Sequence, residues 1–187
     1  PPTSVRLTRA LPPRALGVTL LQMHLHLRYY DYDLTQTHAS VWNTFVSVMQ
    51  DEWRSAYPLE PSPTIPELAD AWRWLYRLML PLAFDVPAFD LTHAAAPAFC
   101  GLPGVMAKLR HHTPYLLTEQ SVYLRDQYLM IERLAPAPFV RWFLARLINA
   151  VVDVNYAFAD QISPVCQYNT RWLRWRGVED SRIRIIY

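Results

Sequence analysis

Apolar side chains recur with two different rhythms along this chain of 187 residues, and the change of rhythm divides it. In the first part, Trp42, Phe45, Val46, Met49 and Trp53 recur three and four apart, which is one face of an amphipathic helix. Pro58, Pro61 and Pro63 break that helix, because proline has no N–H to continue the ladder. Thr64-Ile65-Pro66-Glu67 then has the spacing of a capping box, in which threonine and glutamate each bond the other's backbone N–H. Leu68, Trp72, Leu75, Tyr76 and Met79 supply the buried face of this second helix up to Pro81. Upstream, residues 17–30 (GVTLLQMHLHLRYY) form a short apolar run that fits strand and helix alike. Residues 1–16 are rich in proline and arginine without a period and read as an irregular lead-in.

Beyond Pro81 short apolar runs alternate with helical patterns. The runs at 88–93 (AFDLTH), 113–118 (TPYLLT), 159–166 and 182–186 read as strands. Helical patterns at 97–110, 122–133, 138–158 and 169–176 separate them. Strand and helix in alternation with short connections predict a parallel sheet covered by helices. The expected fold is therefore α/β: a Rossmann-like parallel sheet with flanking helices over 82–187, preceded by a mainly helical region over 17–81.

Composition narrows the classes. At 52% hydrophobic and 13% aromatic, the chain has ample material for a packed core, and its length suits one domain or one domain with an extension. The longest apolar stretch, 139–158, is interrupted by Arg141, Arg146 and Asp153, so it reads as a buried helix rather than a membrane span. A formal charge of +2 gives no support to a nucleic-acid partner. Cys100 and Cys166 lie far apart without a CxxC spacing; a reducing, cytoplasmic compartment and ordinary core thiols are expected. The opening PPTSVRLTRALPP does not join a basic region to an apolar one, as a signal peptide would. Only four glycines occur where the usual ~7% would give about thirteen. No GxGxxG or GxxxxGK[ST] is present to cradle a phosphate.

Candidate chemistry gathers at strand ends, where parallel sheets open a crevice for ligands. The second strand stops at Thr118-Glu119-Gln120. Glu119 would orient a hydroxyl there, and Gln120 would donate and accept hydrogen bonds to a sugar. The plainer alternative is that Thr118 caps the following helix and Glu119 sits near its N-terminus, where the helix dipole favours negative charge. His93 ends the preceding strand and opens onto the same edge, as an acid–base or hydroxyl-binding group or as a polar residue at a loop mouth. His24 and His26, two apart, would share one face of a strand and could suit a metal, but no third ligand is identifiable. In 171–176, arginines interleave with Trp172 and Trp175. That pattern suits base stacking, a membrane surface or contact with a neighbouring domain; its simplest reading is a solvated arginine face with both tryptophans buried.

Two long segments carry a resemblance. They are FDLTHAAAPAFCGLPGVMAKLRHHTPYLLTEQSVYLRDQYL and, further on, NYAFADQISPVCQYNTRWLRWRGVEDSRIRII. In motif order they are similar to the N-terminal half of retaining GT-B glycosyltransferases of family four, in the PelF-like branch linked to Pel exopolysaccharide synthesis. The likeness is clear from about Trp72 onward, weaker over 39–71 and absent from the first thirty or so residues. The resemblance implies two Rossmann-like domains facing across a cleft, with a UDP-glucose-type donor, a glycan acceptor and no metal requirement. It implies substrate-binding roles for His93, Thr118, Glu119, Gln120, Tyr123, Arg125 and Asn169. Gly101 and Gly104 match small positions that let a helix approach the sheet. No catalytic residue is carried over. The donor is expected to be held mainly by a C-terminal Rossmann-like domain outside these residues, and the family's first strand and its glycine-rich loop are likewise absent. A polysaccharide-export complex at the inner face of the membrane is an implied partner.

Three departures bear on function. Gln120 stands where the family has histidine, Ser121 where it has glycine, and Asp126-Gln127 where it usually has Glu-Arg. Glutamine keeps hydrogen bonding but cannot titrate near neutrality. Two readings follow: the acceptor-side domain of a glycosyltransferase, inactive by itself, or a non-catalytic binding or scaffold module derived from the same fold.

Overall fold

The computed structural model describes residues 11–134 and 136–186. Helix α1 (Pro13–Leu27) resolves the ambiguous run of 17–30 as helix, and it begins inside the stretch expected to be irregular. Pro13 explains the early start: at a helix's first position its missing N–H costs nothing. Residues 1–10 of that expected lead-in lie outside the described residues. Helix α2 (Tyr32–Thr37) follows, capped by Asp31, whose carboxylate accepts from the Leu34 N–H at 2.8 Å. Helix α3 (Ala39–Ala56) buries Phe45 and Trp53, as its periodicity predicts. Helix α4 (Ile65–Met79) starts in the expected capping box, with the Thr64 N–H donating to Glu67 Oε2 at 2.8 Å and the Glu67 N–H to Thr64 Oγ1 at 3.4 Å.

The second half is built on three parallel strands in the order β1 (Thr92–Ala94), β2 (Tyr115–Glu119), β3 (Gln161–Pro164). Helices α5 (Leu102–His111), α6 (Tyr123–Leu134), α7 (Pro138–Phe158) and α8 (Thr170–Trp175) complete it. The expected α/β fold is present, with the sheet smaller than the sequence suggested. Two prolines account for part of that. Pro114 has no N–H for the ladder, so β2 opens at Tyr115 rather than Thr113. The expected fourth strand at 182–186 runs beside β3, with Arg184 N–H donating to Ile162 O at 3.0 Å and Ile186 N–H to Pro164 O at 3.3 Å. Among the described residues only the Ile162–Ile183 bridge forms, because the next would need an N–H on Pro164.

Helix α7 is the central pillar. It packs against α1, α4, α5 and α6, and the residues it buries include Phe139, Phe143, Ile148, Val151 and Val154. Rings from the first half meet it edge-on: Phe45 against Phe143 with centroids 5.9 Å apart, and Trp53 against Trp142 at 5.6 Å. The helical first half and the sheet therefore share one hydrophobic core. Along β2, Tyr115, Leu117 and Glu119 are buried while Leu116 and Thr118 are partly exposed. The sheet thus has one helix-covered face and one more open face. Among the described residues no helix is long and apolar enough to cross a membrane.

Candidate functional site at the strand ends

Parallel register sets the site. Ala94 of β1 stands beside Leu117, and Glu119 beside Pro164, so the three strands end on one edge. Side chains alternate across a strand. Thr118 accordingly points to the open face and Glu119 to the helical face.

On the open face His93 and Thr118 meet. His93 Nε2 lies 2.8 Å from Thr118 Oγ1, and the histidine is exposed. The pairing orients the ring and leaves Nδ1 free of any protein partner among the described residues. Thr118 is therefore engaged with His93 rather than capping α6.

On the helical face Glu119 is only 2% exposed. Its Oε1 accepts from the Tyr123 N–H at 3.2 Å and its Oε2 from the Tyr156 hydroxyl at 2.7 Å. The capping duty weighed for Thr118 is performed by Glu119. Burial pushes this carboxyl above the usual carboxylate range, against the two donors that favour the ionised form. Burial and the neighbouring Glu119 charge raise the Tyr156 phenol well above its ordinary value, and burial takes Tyr123 up to about 12. Both phenols are therefore neutral at physiological pH, and that of Tyr156 is the one that donates to Glu119.

Gln120, next along the chain, is exposed at the edge. Arg125 is exposed on α6 and ion-paired with Asp126 at 3.1 Å. A hydrogen bond from Ser121, together with Arg125, holds Asp126 below the usual carboxylate range. Asn169 sits half-buried at the N-terminus of α8, after β3. His93 and Thr118 are thus brought together directly, the buried Glu119 braces the half-buried start of α6 at Tyr123 behind them, and Arg125 and Asn169 stand on the flanking helix starts.

Gly101 and Gly104 bring α5 onto Tyr115. A Cβ at Gly101 would stand 2.5 Å from the Tyr115 hydroxyl, and one at Gly104 2.7 Å from its ring. The Tyr115 hydroxyl in turn donates to Asn155 Oδ1 at 2.5 Å. A pocket of about 230 Å³ opens between α5 and β1, lined by Thr92, His93, Cys100, Gly104 and Tyr115.

Other expectations are corrected. His24 and His26 lie on helix α1, where residues two apart do not share a face. His24 is buried, its Nδ1 2.9 Å from Leu82 O and its Nε2 2.9 Å from an Arg110 nitrogen. Among the described residues no three His, Cys, Asp or Glu side chains converge as a metal site would require. Cys100 is exposed and Cys166 half-buried rather than core thiols: Cys100 lies within the short 3-10 helix Phe99–Gly101, and Cys166 is the N-cap of the one at Gln167–Asn169. Trp175 is 71% exposed, and only Leu173 and Thr170 of α8 are buried. A six-residue helix is too short to hide two indoles on one face. Sequence reasoning gave no role to Tyr156 or Asn155, although both lie in the quoted NYAFAD. Their signal was an Asn-Tyr pair in the last turns of a mainly apolar helix, among its other polar residues.

No curated protein and no solved structure matches the chain. A family model described as "Domain of unknown function (DUF3492)" matches residues 13–181, nearly the whole chain, and the protein therefore belongs to that family.

Proposed function

We propose that this chain is the acceptor-side domain of a retaining nucleotide-sugar glycosyltransferase of the PelF-like type, using a UDP-glucose-type donor in exopolysaccharide synthesis. The observation that carries the reading is the His93–Thr118 pair on the open face of a parallel sheet, at its C-terminal edge. That is where α/β folds bind ligands. An oriented imidazole and a threonine hydroxyl beside an exposed Gln120 suit the hydroxyls of a sugar, each partner able to donate and accept. Retaining transfer also needs positioned cations and donors for the leaving nucleotide, which this reading assigns to a C-terminal domain. The chain by itself is inactive in this account.

The test is sugar transfer from UDP-glucose by the full-length protein that contains these residues. His93→Ala is expected to lower kcat/KM by about tenfold to a hundredfold, the loss of one or two directed hydrogen bonds. Unchanged activity in that variant overturns the reading, as does turnover by the isolated 187 residues.

The inward turn of Glu119 favours a second reading, a binding or scaffold module derived from the same fold. There the carboxylate braces α6 and α7 and takes no part in chemistry. Gln120→His in the full-length protein separates the two: a large rise in activity marks a degraded site, and high activity before the change marks glutamine as a working variant.

A further inference from the structure

A cleft of about 610 Å³ opens where the end of α3, helix α6 and the first half of α7 meet. None of its lining residues belongs to a strand or to the loops at the strand ends. Its walls are aromatic. Tyr57 and Tyr128 are 39% and 38% exposed, and the half-buried Trp142 packs edge-on against the buried Trp53 with Arg146 5.0 Å above its ring.

The charged lining groups are two carboxylates, Glu60 and Glu132, and two guanidiniums, Arg141 and Arg146. Glu132 and Arg141 pair at 3.1 Å, with side chains 60% and 44% exposed. Such an exposed pair contributes little to stability and exchanges readily with a ligand. The Asn149 amide donates to the Tyr128 hydroxyl and fixes that ring's edge.

These groups define an occupant. A net anion would meet the carboxylates, and a net cation the guanidiniums. Arg146 already pairs with Glu52 at 3.3 Å, so a neutral ligand must chiefly give acceptors to Arg141 and donors to the carboxylates, which hydroxyl groups do at once. It must also lay apolar faces on tyrosine and tryptophan rings. A pyranose has hydroxyls around its edge and C–H bonds on its faces. We propose that this cleft binds a neutral oligosaccharide, at a site separate from the strand ends. A proline-rich peptide would also dock on aromatic rings, but proline has no N–H and would offer Glu60 no donor. The inference does not depend on glycosyl transfer, since it uses none of the residues of the proposed acceptor site.

The test is an NMR titration of the chain with cellohexaose, maltohexaose and chitohexaose, following tryptophan indole N–H resonances. At least one is expected to shift the Trp142 resonance saturably with a Kd below about 1 mM. Tyr57→Ala and Arg141→Gln, both at exposed positions, are each expected to weaken that binding at least about tenfold with the melting temperature kept. His93→Ala should leave it unchanged. The proposal falls if none of the three sugars gives a saturable shift, or if both cleft variants bind as the parent does. It also falls if His93→Ala abolishes binding, or if a proline-rich peptide saturates the same resonances while the sugars do not.

Discussion

The Tyr156 hydroxyl donates to the Glu119 carboxylate at 2.7 Å, tying the last turns of α7 to the C-terminal end of β2. Glu119 Oε1 holds the first turn of α6 from the same position. One buried carboxylate therefore fixes the strand end against two helices, and the neighbouring Thr118 and Gln120 inherit their placement from it.

Tyr156→Phe removes the donor without changing the ring. Loss of a hydrogen bond to a buried carboxylate is expected to cost about 1–3 kcal/mol at neutral pH. The Tyr156 bond favours the ionised form of Glu119, so its loss raises that carboxyl further. The cost should shrink in acid, where the carboxyl is protonated in both proteins. Urea denaturation at neutral pH and near pH 4 checks both points, and an equal loss at both would contradict the assignment.

His24 carries a second dependence on pH. It is 1% exposed; burial lowers its pKa below 6.5, and Arg110 and Arg28 lower it further against the opposing effects of the Leu82 carbonyl and Asp85. The unfolded chain therefore binds this proton more readily than the folded one. Stability from this group is full above the unfolded value and is lost as pH falls through it towards the lower folded value. Thermal melting of the native protein should show a decline below about pH 6.5. That component should be absent in His24→Gln, and its persistence would place the titration elsewhere.

Gly101→Ala tests the closeness of α5 to the sheet. The new methyl would meet the Tyr115 hydroxyl, itself held by Asn155 inside the core, so neither neighbour can withdraw freely. Overpacking of this kind costs about 1–3 kcal/mol. At about 2–4 °C per kcal/mol for a chain of this size, differential scanning calorimetry should register a clear drop in Tm. A Tm within a degree or so of the parent would mean that α5 stands further off.

Local signals carried the helices well. The capping box of Thr64 and Glu67 and the three-four spacing from Trp42 to Trp53 act within a turn or two, and both appear as read. The run of 17–30 stayed ambiguous because its moment is weak and it buries residues through contact with α7, which no local pattern reveals. Strand lengths were overestimated where one backbone donor decides the matter, as Pro114 and Pro164 do. At the site, the placing of His93 and Thr118 near strand ends was legible from the alternation of strands and helices, with β1 running one residue past His93. Alternation along β2 fixes only that Thr118 and Glu119 face opposite ways. Which face the helices cover was not legible, because it is set by the packing of α7, which brings Tyr156 from far along the chain.

Cys100 gives a direct approach to the strand-end site. It is exposed, whereas Cys166 is half-buried, so a thiol reagent should label Cys100 first. Cys100 shares its pocket of about 230 Å³ with His93, and a bulky maleimide there would fill the space beside the imidazole. In the full-length protein such labelling should lower sugar transfer, while Cys100→Ser should keep activity and be protected from the reagent. Labelling confirmed by mass spectrometry at Cys100 with transfer unchanged would mean that substrate does not approach His93 from this side. Loss of activity in the serine variant as well would trace the inhibition to another residue.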